Sequence, residues 1–369
     1  MQNIEKKYQI ALSFINGIGS INAKKLLAYV GSPEAVFKEK KQNLIKIPGI
    51  GEKVANEVFN KEILEKTEGE LNFIEKHKIS TFFYTDKEYP NRLKQFEDSP
   101  IILYFKGQSN LNQQKIISIV GTRKATHEGL ENCKKLIEKL SSKGHKLLIV
   151  SGLAYGIDIH AHKVALKNEQ QTIAVLGHGL NMIYPSAHKN IAKEIIKQGG
   201  LLSELPSSAV LDPAHFVKRN RIIAGLADAT VVVESIKGGS LITAKIANDY
   251  NKDVFAFPGR VNDKYSEGCN FLIKTNQASL IEDADDIEYI MGWTPPEKGK
   301  VVQSQLFVEL NEDEKNIVNI LKENGKTAID IISLHAKMPV SKVSTILLKL
   351  EFAGIVLSFP GKIYSATTQ

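Results

Sequence analysis

Short apolar runs alternate with helix-like stretches from residue 115 to about residue 291, and this alternation constrains the fold more than any other feature of the sequence. The predicted strands span residues 116–120, 147–150, 172–176, 201–204, 230–233, 254–257 and 279–281. Parallel strands need crossover connections, which are usually helices that cover both faces of the sheet. The alternation therefore predicts an α/β fold with a Rossmann-like, doubly wound parallel sheet that is buried on both faces.

One strand, turn and helix unit stands out within this core: residues 146–163 read KLLIVSGLAYGIDIHAHK. Ser151, Gly152 and Gly156 lie in the turn. Backbone N–H groups at the start of such a helix are unpaired, so the turn is suited to binding a phosphate. It lacks the G-x-G-x-x-G spacing of dinucleotide sites, and its glycines could equally serve only the tight geometry of the chain.

In a doubly wound sheet, the ligand crevice lies beyond the carboxyl ends of the strands. The turns expected there are residues 121–123, 151–158, 177–179, 204–206, 234–240 and 258–260. Gly121 and Arg123 belong to the first turn, and the planar guanidinium of Arg123 is suited to a phosphate. Glycine recurs in these turns, as expected where a ligand approaches the backbone closely.

A cluster of cations on a predicted helix adds charge to this crevice. Phe216 precedes Lys218, Arg219 and Arg221 within six residues. Three cations in four residues cannot all face one way, so some should point into the crevice and others could be solvated or ion-paired. A charge run on its own would more often be a solvated helix face. An aromatic residue followed by cations, close to a glycine-lined crevice, favours contact with single-stranded nucleic acid by stacking and electrostatic attraction.

Residues 1–66 contain an internal repeat of the helix-hairpin-helix type. Gly17 and Gly19 occupy the first copy, and Gly49 and Gly51 occupy the second. The two glycines of such a turn can offer N–H groups to a phosphate without reading sequence, which predicts secondary phosphate contacts at these four residues. Lys24, Lys25 and Lys53 would add charge. Alternatively, the hairpins merely pack as helix pairs.

Composition narrows the class of protein. The 369 residues carry 48 Lys and Arg against 41 Asp and Glu, a net charge of +7, which favours a polyanionic partner without requiring one. Cys133 and Cys269 lie far apart and outside any metal-binding pattern, so both are expected to be packing residues. We expect a cytoplasmic protein without a membrane span, because no apolar run approaches about 20 residues and no signal core is present.

The predicted domain organisation has five parts. These are a helix-hairpin-helix, SAM-like domain (1–66), a connector that packs on the core (67–111), the Rossmann-like core (112–292), a linker (293–310) and a winged helix (311–369). The winged helix is expected from three helices and a hairpin about Pro360 and Gly361. Its candidate recognition helix carries only Lys342 and Lys349, so contact with a protein, or a structural role, is as plausible as DNA binding.

Several motifs together resemble the DprA/Smf family of bacterial DNA-processing proteins. Residues 121–123 (GTR) are similar to the family's G-S-R motif, and residues 151–158 match its S-G-x-A-x-G-I-D turn. Further matches are residues 219–226 (RNRIIAGL), 239–244 (GSLITA, with Gly239, Ser240 and Thr243), 257–259 (FPG) and 268–273. The resemblance covers nearly the whole chain.

The resemblance implies a core that forms homodimers, binds single-stranded DNA regardless of sequence and helps load the recombinase RecA during natural transformation. It implies that Arg123, residues 216–221 and Ser240 line the DNA pocket, and that the protein is not an enzyme and needs no cofactor. Two departures concern the pocket cations. Val217 stands where relatives often have proline, and residues 212–215 lack the lysine that many relatives place three positions before Phe216; Lys218 could substitute for it.

Two enzymatic functions are alternatives to DNA binding. The core is also similar to nucleotide-processing phosphoribohydrolases of the LOG type, for which Glu204 and Glu234 at strand ends would be candidate acids, although such acids more often serve the architecture of a pocket. A metal hydrolase would use residues of one small set, namely Asp158, His160, His162, His178 and His188. Asp158 is better explained by its position at the positive end of a helix dipole.

Overall fold

The computed structural model describes residues 2–236, 238–295, 310–325, 327–352, 355–359 and 362–366. The chain divides into two compact units, Met1–Pro296 (unit one) and Glu297–Gln369 (unit two). Each unit has its own apolar core. Most of the predicted linker, residues 296–309, lies outside the described residues, as does the predicted wing turn at Pro360 and Gly361.

A nine-stranded sheet forms the centre of unit one. Its strands are β1 (Ser80–Phe83), β2 (Ile102–Gly107), β3 (Ile116–Val120), β4 (Leu148–Ser151), β5 (Gln171–Val175), β6 (Gly200–Ser203), β7 (Ala229–Val232), β8 (Asp253–Ala256) and β9 (Ser279–Leu280). Their order in the sheet is β1-β2-β6-β5-β4-β3-β7-β8-β9. The seven strands β3 to β9 all run parallel to one another. The predicted Rossmann-like parallel sheet is therefore confirmed.

The sheet also extends beyond the predicted parallel strands. β1 and β2, from the segment predicted to be a connector, add an antiparallel edge, since β2 pairs antiparallel with both β1 and β6. Gly107 and Gly200 permit this close pairing, because a Cβ on Gly107 would lie 2.2 Å from the Gly199 carbonyl oxygen and one on Gly200 would lie 2.2 Å from the Phe105 ring. The segment is thus part of the sheet, which the sequence did not predict.

Helices surround the sheet and precede it. They are α1 (Gln2–Ser13), α2 (Ser20–Val30), α3 (Pro33–Lys38), α4 (Lys41–Leu44), α5 (Glu52–Val58), α6 (Glu62–His77), α7 (Asn91–Lys94), α8 (His127–Ser142), α9 (Ile157–Lys167), α10 (Lys189–Gln198), α11 (Pro213–Leu226), α12 (Gly239–Asp249), α13 (Glu267–Lys274) and α14 (Ala284–Met291). α6 runs without a break across residue 66, where the sequence predicted a domain boundary.

Two apolar cores lie on opposite faces of the sheet, because successive side chains of a strand point to opposite sides. Ile116 of β3 packs in the core that includes α11 and α12, whereas Ile117 packs in the core that includes α8 and α9. Both cysteines are buried in these cores, Cys269 in the first and Cys133 in the second. The sheet is therefore covered on both faces.

The two helix-hairpin-helix turns pack against each other in the N-terminal part of unit one. Asn22 of α2 donates a hydrogen bond from Nδ2 to the Gly49 carbonyl oxygen at 3.2 Å. Gly17 and Gly49 have positive φ angles of 77° and 89°, which glycine adopts without strain. Apolar residues of these helices share one cluster with β1 and β2, including Tyr104. The hairpins are thus joined to the edge of the sheet.

Unit two is a winged helix. Its elements are α15 (Glu312–Asn324), β10 (Thr327–Ala328), α16 (Ile329–Ala336), α17 (Val340–Phe352), β11 (Val356–Phe359) and β12 (Ile363–Ala366), and the strand order is β10-β12-β11. The predicted winged helix is confirmed. Over the described residues of both units, no helix combines the length and the apolar character that a membrane crossing requires.

Candidate nucleic-acid interface

A cleft of about 640 Å³ opens at the carboxyl edge of the parallel strands, where the sequence predicted a crevice. The turns after β3 and β7 and the first half of α11 enclose it. Of the predicted site residues, those that line the cleft are Gly121, Arg123, Phe216, Arg219, Gly239, Ser240 and Thr243. Ser151, Gly152, Gly156, Lys218 and Arg221 do not line it. The structure therefore brings together residues that are up to 122 positions apart (243 − 121).

Arg123 is the predicted cation that is available in this cleft. It follows β3, is exposed, and forms no ion pair within the described part of the chain. The turn that carries it is held in place, because the Thr122 backbone N–H donates to the Glu234 carbonyl oxygen at 2.7 Å and the Lys124 N–H donates to Thr122 Oγ1 at 3.2 Å. A guanidinium on a fixed turn can contact a phosphate with two parallel hydrogen bonds.

The glycines of the turn after β4 are explained by contacts within the protein. Gly156 has a φ of 76°, and a Cβ there would lie 2.1 Å from the Thr122 carbonyl oxygen. A Cβ on Gly152 would lie 2.6 Å from both Arg219 Nη2 and Asp158 Oδ2. Protein atoms, not open space for a ligand, occupy these positions. Gly239 differs, since the nearest atom to its Cβ position is Asn220 Nδ2 at 3.8 Å, and a ligand can approach it.

Arg219 is buried beneath this turn, although the sequence predicted that it contacts DNA. Its guanidinium donates to the carbonyl oxygens of Gly152, at 2.7 Å, and Val175. Burial lowers the pKa of Arg219 to about 10, and the Asp158 charge opposes that shift. Burial likewise raises the pKa of the Asp158 carboxyl, against the opposing Arg219 charge. Arg219 therefore positions the turn from below, with little of its side chain left for a ligand.

Two further predicted cations share one acid. Arg221 is buried and forms an ion pair with Glu204, and Lys218 Nζ lies 3.5 Å from the same Glu204 carboxylate. The Lys218 side chain is 51% exposed, whereas that of Arg221 is 9% exposed. Lys218 can still reach a ligand at the rim, but Arg221 holds the end of β6 to α11.

The hydroxyl groups of Ser151, Ser240 and Thr243 also have partners within the protein. Ser151 donates to the Ile119 carbonyl oxygen at 2.6 Å and Thr243 to that of Gly239 at 2.9 Å, and both side chains are buried. Ser240 Oγ lies 2.7 Å from Ser235 Oγ. Ser151 and Thr243 thus stabilise the ends of their elements.

Tyr184 also lines the cleft, although none of the sequence motifs indicates it. Its side chain is 48% exposed, and its ring centroid lies 5.7 Å from that of Phe216. Phe216 rests on Gly177, where a Cβ would lie 2.9 Å from the ring. The His178 ring donates from Nδ1 to the Gly179 carbonyl oxygen and accepts from the Tyr184 N–H at 3.2 Å, which fixes the loop. Tyr184 lies nine residues beyond β5, outside the turns that strand ends indicate.

The acids of the enzymatic alternatives and several of their histidines make structural contacts. Glu234 accepts hydrogen bonds from the Thr126 N–H at 2.9 Å and the Thr126 hydroxyl at 2.6 Å, at the start of α8. His162 Nδ1 lies 2.7 Å from Thr172 Oγ1, and burial lowers the pKa of His162 to about 3. His188 Nδ1 lies 2.8 Å from the Leu153 carbonyl oxygen. Within the described ranges no three His, Cys, Asp or Glu side chains are grouped to hold a metal.

In the helix-hairpin-helix turns, Gly17, Gly19, Gly49 and Gly51 are exposed. Lys24, predicted to add charge there, is instead half-buried and donates to the Glu97 carbonyl oxygen at 2.8 Å and Ser99 Oγ at 2.7 Å. Burial lowers the pKa of Lys24 to about 8. Lys24 therefore holds the hairpins against the segment before β2, while Lys25 and Lys53 remain exposed.

Three family models match consecutive parts of the chain. The model of SAM-like helix-hairpin-helix tandems matches residues 10–59, that of DNA recombination-mediator protein A matches residues 80–291, and that of the DprA winged helix domain matches residues 305–362. The Smf protein of Synechocystis is 31% identical, with 99% of each chain covered, and that of Escherichia coli is 36% identical, with 74% of each chain covered.

Two solved structures of DprA proteins are similar to this chain. The structure of DprA from Streptococcus pneumoniae superposes with a TM-score of 0.63 at 32% identity, covering 77% of this chain and 97% of that one. DprA from Helicobacter pylori, whose structure was described for its single-stranded DNA binding mode, gives a TM-score of 0.52 at 30% identity, covering 58% and 95%. Because its model matches 212 of the 369 residues (291 − 80 + 1), the chain belongs to the DNA recombination-mediator protein A family, the family of the Smf and DprA proteins.

Proposed function

We propose that the cleft binds single-stranded DNA without sequence preference, and that the protein acts by binding and not by catalysis. The observation that carries this proposal is the placement of the exposed Arg123 guanidinium, which has no ion pair with any described residue, in the same cleft as the rings of Phe216 and Tyr184. A guanidinium recognises phosphate and a ring recognises the π-face of a base, features that every nucleotide has.

The start of α12 supplies a second feature suited to phosphate. Gly238 precedes this helix with a φ of 125°, and Gly239 and Ser240 form its first turn at the edge of the cleft. The unpaired N–H groups and the positive end of an eleven-residue helix favour an anion there. Arg123 and the start of α12 would then hold the backbone, while the two rings stack on bases.

At the level of the cell, we infer from family membership that the protein protects incoming DNA and loads RecA on it during natural transformation, as a homodimer through the core. DprA relatives are named DNA processing proteins, and the solved H. pylori relative is described as binding single-stranded DNA. On single-stranded DNA, RecA should form more filament in the presence of this protein than in its absence. Light scattering of the protein alone should give the mass of a dimer.

The cleft assignment is tested by titrating labelled single- and double-stranded oligonucleotides with the full chain at several salt concentrations. We expect tighter binding to single strands, similar affinity for mixed sequences, and a log–log salt slope that grows by about 0.7 for each phosphate contacted. Equal affinity for duplex and single strand would contradict the proposal. Release of free base from a nucleoside monophosphate would contradict the non-catalytic role.

A further inference from the structure

The helices on one face of the sheet hold a second positively charged surface, which none of the motifs above indicates. α9 and α10 enclose a groove of about 600 Å³. Three exposed lysines line it, Lys163 and Lys167 of α9 and Lys197 of α10, and we call it the lysine groove. Leu166 and Ile191 supply its apolar floor.

Two lysines of the neighbouring helix have ion pairs that the groove lysines lack within the described residues. On α8, Lys139 pairs with Asp283 at 2.6 Å and Lys134 with Glu131 at 3.5 Å. Among the residues that the structure describes, none of the three groove lysines has such a partner. Glu194 also lines the groove, so three lysines against one glutamate leave a net charge of +2. The charge is therefore available to a ligand.

The two helices that enclose the groove begin near the cleft. α9 begins directly after Gly156, the glycine whose turn packs on the Arg123 turn. α10 begins directly after His188, whose ring lies 4.7 Å from the half-exposed ring of Tyr155 in the turn after β4. Both helices follow parallel strands, so they start at the carboxyl edge of the sheet and run toward the opposite edge. Lys163 and Lys167 are one turn apart, about 6 Å along the helix axis.

We infer that the lysine groove binds the backbone of single-stranded DNA that continues out of the cleft. This inference rests on the proposed function of the cleft. Lysine ammonium groups act as point charges that neutralise phosphates without reading bases, which suits a strand bound regardless of sequence. Asp158 in the first turn of α9 and Tyr184 before α10 both line the cleft. A strand that leaves the cleft can therefore run along these helices to the lysines, which favours DNA over an acidic protein segment.

The test compares a short oligothymidylate of about 6 nucleotides, long enough for the cleft, with one of about 20 nucleotides that can also enter the groove. The variant carries Lys163→Gln, Lys167→Gln and Lys197→Gln. A matched control carries Lys76→Gln, Lys78→Gln and Lys146→Gln, three exposed lysines that have no ion pair in the described residues and lie before β1 and β4. Both variants lose the same formal charge and keep the cleft intact.

For the long oligonucleotide, we expect the salt slope of the groove variant to fall by about 2, three phosphates at about 0.7 each, and its affinity to drop toward that of the short one. The short oligonucleotide should bind the wild type and both variants alike. If the groove variant and the control bind the long strand equally well, the inference is wrong while the cleft assignment stands. If the wild type binds neither oligonucleotide, the proposed function fails and the inference fails with it.

Discussion

The cleft of unit one and helix α17 of unit two both carry cations that the sequence offers as DNA contacts, but their surroundings differ. In the cleft, Arg123 has no ion-pair partner in the described residues and lies with two aromatic rings. On α17, Lys342 pairs with Asp313 at 2.6 Å and Lys349 with Glu314 at 3.2 Å, both acids of α15. A phosphate that binds α17 must compete with these acids.

The difference teaches that the partner of a cation, more than its position on a helix, decides what it can bind. The same holds within α11, where two candidate DNA contacts have partners in the protein: Arg219 donates to backbone carbonyl groups and Arg221 pairs with Glu204. Exposed ion pairs are worth little to stability, about 0–1 kcal/mol, but each one removes a charge from the binding surface.

The largest effect is expected from removing a cation that is buried below the cleft. Arg219→Ala leaves the Asp158 carboxylate buried without its opposing charge, which should lower the free energy of unfolding by about 3–5 kcal/mol at neutral pH. The loss should be smaller at acid pH, where Asp158 is protonated, because its pKa is already raised by burial. Urea unfolding followed by the fluorescence of Trp293, the single tryptophan, reports on unit one.

A second variant tests whether the loss of stability comes from the uncompensated Asp158 charge. Asp158→Asn in the Arg219→Ala background removes the uncompensated charge and should recover part of the lost stability. If the double variant is no more stable than Arg219→Ala, the two residues do not act through their charges.

The next largest effect, on DNA affinity, distinguishes the cleft from α17 directly. Arg123→Ala should weaken binding to every single strand by about 1.5–3 kcal/mol, the range for hydrogen bonds to charged groups, and leave the unfolding midpoint unchanged. Lys342→Ala in unit two, the matched control, should change affinity less than twofold because Lys342 is already paired. Fluorescence anisotropy at two salt concentrations measures both, and equal losses would abolish the distinction between cleft and α17.

A smaller effect tests the rings of the cleft. Tyr184→Ala should cost about 1–3 kcal/mol on an ordinary oligonucleotide, the range for stacking of one base. An abasic oligonucleotide with the same phosphates should bind wild type and variant alike, and Tyr184→Phe should behave as wild type. A loss of affinity for the abasic strand as well would show that Tyr184 acts on the backbone or on folding instead.

The smallest effect concerns Lys24, a cation that lies in neither the cleft nor α17. Burial lowers the pKa of Lys24 to about 8 from its ordinary 10.5, so the unfolded chain binds more protons there between these values. Stability should therefore rise as pH increases from about 8 to about 10.5, by no more than about 1 kcal/mol because Lys24 is half-exposed. Lys24→Met should lack this rise when unfolding is followed at each pH, and an identical rise in the variant would refute the assignment.

The local sequence pattern predicted the positions of the strands in the chain but not every strand's pairing partner in the sheet. The seven parallel strands were predicted to within a residue at each end. A strand buried on both faces must be a continuous apolar run, which holds for the inner strands but not for β9, whose two residues are exposed. The antiparallel pair β1 and β2 was not placed in the sheet, since edge pairing depends on the close approach of Gly107 and Gly200, which are 93 residues apart (200 − 107).

The sequence by itself determined that the turns after the parallel strands converge, because parallel strands joined by crossover helices all end at the same edge of the sheet. Arg123 and Phe216 lie in the cleft at that edge. Tertiary structure alone decided which cations stay free. Arg219 and Arg221 adjoin the exposed Lys218 in sequence, yet burial and the positions of Asp158 and Glu204 commit them to the protein. A buried charge must find a partner from elsewhere in the chain, and that partner is set by packing, which no local pattern records.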